Sequence, residues 1–99
     1  MIIYEVNLTI SPKIYDEFII WLNTHIDKML SYKGFDSCNT YIVESTEKDF
    51  KKICLHYYIK NNLLLNDYLL NHSSEMREEG IIKFKDNFSA TRRILSDSK

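Results

Sequence analysis

Two adjacent arginines, Arg92 and Arg93, stand in the stretch FSATRRIL, which otherwise reads as a β-strand. Arg77 is the one other arginine among 13 basic residues. Side chains alternate across a strand, so the two guanidiniums point to opposite faces of a sheet. On the face packed against helices, Arg92 needs an anion, because an unpaired buried guanidinium is costly. Glu79 can supply that charge internally, or the planar fork can take a carboxylate or phosphate from a small ligand. His25 sits in the apolar arc of one helix with Trp21 a turn earlier, and His72 sits in the stripe of a second. These groups are expected to converge, with Tyr4, in a cavity between helices and sheet. There Trp21, His72, Arg92 and Tyr4 would contact a ligand, and His25 would act as acid or base.

Other chemistries lack their signatures. No histidine pair has i, i+4 spacing, there is no HExxH, and Cys38 and Cys54 make no CxxC knuckle, so no metal site is expected. No nucleophile elbow, phosphate loop or dinucleotide fingerprint occurs, so no cofactor is expected either. Lys and Arg number 13 against 14 Asp and Glu, a net charge of -1 that advertises neither nucleic acid nor a membrane as partner. The opening MIIYEVNLTI has no basic n-region and no small-residue cleavage site. The expected compartment is the cytoplasm, with both thiols reduced.

The elements that position these residues follow from periodicity. Ile2, Tyr4, Val6, Leu8 and Ile10 alternate with Ile3, Glu5, Asn7 and Thr9, which predicts a strand with one buried face. Ser11 and Pro12 then read as an N-cap and first helical position, opening a helix to about residue 30. Its apolar arc is Ile14, Phe18, Leu22, Ile26 and Met29. Residues 36–44 and 51–60 read as two strands joined by the polar connection ESTEKD. Asn61 or Asn62 caps a second helix with the stripe Leu64, Leu65, Tyr68, Leu69, His72 and Met76, interrupted near Ser73 or Ser74, which can recap it. Gly80 weakens the helical signal, and a last strand covers residues 87–95.

With 99 residues, 44% of them apolar, one domain over residues 1–99 is expected. The order βαββαβ with right-handed crossovers predicts a ferredoxin-like α+β fold, a four-stranded antiparallel sheet of order 4-1-3-2 with both helices on one face. Pairing positions that sum to 98 in the first and last strands matches like environments: Glu5 meets Arg93, Asn7 meets Thr91 and Tyr4 meets Ile94. The open face then carries Glu5, Asn7, His56, Tyr58 and Arg93, a mixed surface suited to partial burial. A homodimer with sheets face to face is expected there, and Glu5 with Arg93 reads as a structural ion pair.

The stretches MIIYEVNLTI, WLNTHIDKML and HSSEMREEGIIKFKDNFSATRRIL resemble a bacterial family of about this length known only as a domain of unknown function. That family is similar to the dimeric α+β barrel group, which includes antibiotic-biosynthesis monooxygenase-like proteins, stress-responsive barrel proteins and muconolactone isomerase-like enzymes. The resemblance implies a fold and a dimer, covers Trp21, His25, His72, Arg92 and Arg93, and assigns none of them a catalytic role. Two readings follow. In one, the chain binds a small organic molecule, an anionic one among the options, and is a candidate cofactor-free enzyme; it requires an open pocket. In the other, it is a non-enzymatic homodimeric accessory or regulatory module with a filled core.

Overall fold

A computed structural model describes residues 1–44 and 48–98. Strand β1 (Ile2–Ile10) is followed by a 3₁₀ turn (Pro12–Ile14) and helix α1 (Tyr15–Met29). Strands β2 (Phe35–Ile42) and β3 (Lys51–Ile59), helices α2 (Asn62–Asn71) and α3 (Ser73–Phe84), a second 3₁₀ turn (Lys85–Asn87) and strand β4 (Phe88–Leu95) complete the order. The sheet runs β2-β3-β1-β4, all antiparallel, which is the ferredoxin-like arrangement. The connection ESTEKD includes residues 45–47, which lie outside the described residues. Among the described residues, no helix is long and apolar enough to cross a membrane.

Alternation decides the register. Tyr4, Val6, Leu8 and Ile10 of β1 and Ile53, Leu55, Tyr57 and Ile59 of β3 all turn to the helices and are buried. A slip of one residue would expose both sets at once. The β1/β4 pairing is the one that sums to 98, with Glu5 opposite Arg93, Val6 opposite Arg92 and Ile10 opposite Phe88.

Helix α1 buries Phe18, Leu22 and Met29, with Asp16 and Glu17 in its first turn and Lys28 in its last, matched to the helix dipole. Its entry departs from the expectation at Ser11, whose side chain makes no capping bond. Pro12 opens a 3₁₀ turn instead, and the Ser11 carbonyl accepts from the Ile14 amide at 3.1 Å. Asn61 does cap α2, its Oδ1 accepting from the Leu64 amide at 3.0 Å. At the helix break, Ser73 works backward rather than forward: its Oγ donates to the Leu69 carbonyl at 2.7 Å, a group the end of α2 would otherwise leave unpaired.

Gly80 lies inside α3, which continues to Phe84. A Cβ there would stand 2.9 Å from Trp21 Cη2 and 3.1 Å from Phe88 Cζ. The glycine therefore lets α3 approach the aromatic cluster of Phe18, Trp21, Phe84 and Phe88, at the cost of a weaker helix.

Candidate functional site

Helices α1 and α3 and the β1/β4 side of the sheet do not close on each other completely. Between them lies a cavity of about 260 Å³, open to solvent on one side. Six aromatic rings, those of Tyr4, Phe18, Trp21, Tyr57, Tyr68 and Phe88, line it together with aliphatic side chains such as Leu22, Leu55 and Met76. His25, Arg77 and Arg92 also line it.

On α1, Trp21 and His25 are one helical turn apart, so their rings meet on one face. They stack with centroids 4.6 Å apart and an interplanar angle of 23°. The imidazole is partly buried, and its Nδ1 has no hydrogen-bond partner among the described residues. Burial holds the His25 pKa below 6.5, with Glu79 opposing and Lys28 and Arg92 adding to the shift, so the ring is neutral at pH 7.

Across the cavity, Arg77 Nη2 donates to the Tyr4 hydroxyl at 3.1 Å, and Arg92 lines the same opening. Arg92 lines the cavity but is exposed rather than buried as expected, because β4 is the edge strand of the sheet; partial desolvation and the Arg77 charge weigh against its ionised form, while Tyr4 supports it. Neither arginine forms an ion pair among the described residues. The expected internal partner, Glu79, is held elsewhere: Lys28 Nζ in the last turn of α1 reaches its carboxylate at 2.7 Å. Two cations thus line one cavity with no carboxylate partner among the described residues, an arrangement that favours a bound anion.

Buried atoms left without partners cluster here too. His25 Nδ1, Tyr57 Oη and Arg77 Nε are all buried, unpaired among the described residues, and belong to residues lining this cavity. Most buried polar groups are paired, so three such atoms around one opening are unusual, and each is free to bond to a molecule in the cavity.

His72 is not brought to the cavity. It occupies the break between α2 and α3, with φ of -132°, and packs against Tyr32 at 4.7 Å. The break shifts the helical phase, so Leu65, Tyr68 and Met76 of the expected stripe are buried while His72 turns aside, and α3 buries Ser73, Met76, Gly80 and Phe84. Arg77 was overlooked for the same reason. Trp21, His25, Tyr4 and Arg92 do meet around the cavity.

The opposite face of the sheet holds a polar network. Glu5 is only 4% exposed. Its Oε1 accepts from Arg93 Nε at 2.6 Å and Asn7 Nδ2 at 2.9 Å, and its Oε2 lies 2.8 Å from His56 Nε2. These contacts, Arg93 first, lower the Glu5 pKa from 4.5 to about 2 against the opposing effect of burial. Tyr58 is tied to the same face by Asn39 at 3.2 Å.

Comparison with known proteins agrees with this fold. The sequence matches the family described as Domain of unknown function (DUF4286) over residues 1–98. No curated protein sequence matches it. Among solved structures it resembles an antibiotic biosynthesis monooxygenase (10% identity, TM-score 0.73, 100% of both chains covered). It also resembles SnoaB, a cofactor-independent oxygenase from Streptomyces nogalater (8% identity, TM-score 0.67, covering 99% of this chain and 94% of that one). A third similar structure is a dimeric ferredoxin-like protein from an uncultured marine organism (9% identity, TM-score 0.73, 99% and 96% covered). At such identities the likeness is one of fold, and chemistry does not travel with it.

Proposed function

The chain belongs to the DUF4286 family, and we propose on that footing that its cavity binds a small organic anion with an aromatic body. The observation that carries this reading is the pairing of two guanidiniums, without a carboxylate partner among the described residues, with an opening lined by aromatic rings. A volume of about 260 Å³ suits a molecule of one or two rings. Arg92 and Arg77 would take the carboxylate, Trp21 and the tyrosines would sandwich the ring, and the neutral His25 would exchange a proton with the bound molecule. An open cavity favours this over a purely structural module, which requires the same space filled.

Trp21 is the sole tryptophan and lines the cavity, so its fluorescence reports occupancy directly. A panel of aromatic acids and their uncharged amides should separate cleanly. Saturable quenching by an acid, with the matching amide weaker by about tenfold or more, is expected from a charge-assisted bond of about 1.5 to 3 kcal/mol. Arg92→Gln should erase that preference. No saturable signal, or acid and amide binding equally, would overturn the reading.

We also propose a homodimer that covers the polar sheet face, as the mixed character of Glu5, Asn7, His56, Tyr58 and Arg93 suggests. The dimeric ferredoxin-like neighbour supports it by analogy of fold. Sedimentation at micromolar concentration should give twice the chain mass of 11.8 kDa; a monomer would refute it. Two unpaired thiols, Cys38 and Cys54, suit a reducing compartment such as the cytoplasm.

A further inference from the structure

Cys54 and His56 are two residues apart on β3 and therefore share its open face. Register places Glu5 of β1 opposite His56, and Asn7 opposite Cys54. A carboxylate oxygen, a thiol and an imidazole nitrogen from three side chains consequently meet on one side of the sheet, all within 4.8 Å of one another. None of these groups touches the cavity, which lies behind the sheet.

We propose that Glu5, Cys54 and His56 bind a divalent transition-metal ion of the zinc type. The donor set is the mixture of oxygen, sulfur and nitrogen that zinc and cobalt accept, and three protein ligands leave a fourth position for water or another ligand. Metal–ligand lengths of about 2.0 to 2.3 Å put tetrahedral donors about 3.3 to 3.8 Å apart. The present donors, all within 4.8 Å of one another, exceed that spacing by about 1.5 Å at most.

The surroundings of Glu5 supply a second, independent argument. Its Oε1 is already fixed by Arg93 at 2.6 Å and Asn7 at 2.9 Å. Outer hydrogen bonds of this kind orient a ligating carboxylate and leave its other oxygen to the ion. That other oxygen, Oε2, is the one facing His56 Nε2 at 2.8 Å. A metal ion would sit between oxygen and nitrogen where a hydrogen bond now links them, with the Cys54 thiol giving up its proton to bind as thiolate. Carboxylate and thiolate together neutralise a doubly charged ion, and Arg93 beside them favours an anionic fourth ligand.

Motif spacing does not reveal this site, because such patterns describe ligands on one helix or one knuckle, whereas here one donor crosses between strands. The test uses the full chain, stripped with chelator and titrated with cobalt(II). Sulfur-to-cobalt charge transfer in the near ultraviolet, with intense tetrahedral bands in the visible, is expected and should be displaced by zinc. Cys54→Ser should abolish the charge-transfer band and weaken zinc binding by at least about tenfold, the cost of losing even an outer partner. Cys38→Ser, on the helix-facing side of β2, should keep both, which separates loss of a ligand from loss of a thiol. Absence of the thiolate band in the folded wild type, or its survival in Cys54→Ser, would overturn the assignment. Either result leaves the cavity reading standing, since the two sites occupy opposite faces of the sheet.

Discussion

Replacing Glu5 by Gln removes one charge from the centre of the polar face and should make stability less dependent on acid. Arg93, Asn7 and His56 hold the folded carboxyl at about 2, against 4.5 without them. That difference is equivalent to about 3 kcal/mol as a ceiling. Arg93 is 66% exposed, so solvent screening reduces the ceiling to about 1 to 2 kcal/mol. Because the folded pKa lies below the unfolded one, the stabilisation is complete above about pH 4.5 and drains away as pH falls toward about 2. Urea unfolding of chelator-treated wild type and Glu5→Gln, at equal protein concentration, should show the wild type ahead at pH 7. More than half of that lead should be gone by about pH 3. A gap that stays constant from pH 7 to pH 3, or no gap at pH 7, would refute the reasoning.

Gly80→Ala sets a helix gain of about 1 kcal/mol against overpacking of about 1 to 3 kcal/mol. The new methyl would stand 2.9 Å from Trp21, so a net loss of up to about 2 kcal/mol with altered Trp21 fluorescence is expected, and a stabilised variant would contradict it. His25 should titrate below 6.5 by NMR of its ring protons, and a midpoint at or above that value would show that burial does not govern it. Since the unfolded histidine takes up its proton first, the stability owed to neutral His25 is present above about pH 6.5 and declines as pH falls below it. Asn61→Ala, which deletes the α2 cap, should cost about 1 kcal/mol in the urea midpoint.

The fold was legible because strands and helices bury faces at fixed periods. The alternation of Tyr4, Val6, Leu8 and Ile10, set against Phe88, Ala90 and Ile94, admits one register that keeps apolar residues together. That register already placed Arg92 on the helix side and Arg93 beside Glu5. Trp21 and His25 were legible too, being one turn apart on an unbroken helix.

The rest depended on long-range geometry. The break at His72 shifts the phase of α3, which turns His72 away and brings Arg77 to Tyr4 instead. Competition between cations also had to be decided in three dimensions: Lys28 takes Glu79, so Arg92 is left to the cavity. Gly80 reads in one dimension as a weak helix residue, yet in the packed molecule it is the point where α3 touches Trp21. Local periodicity thus determined which face each strand and the first helix bury. Tertiary packing determined which charges meet around the cavity, because the partners of Arg77 and Glu79 come from distant segments whose distances no linear spacing encodes.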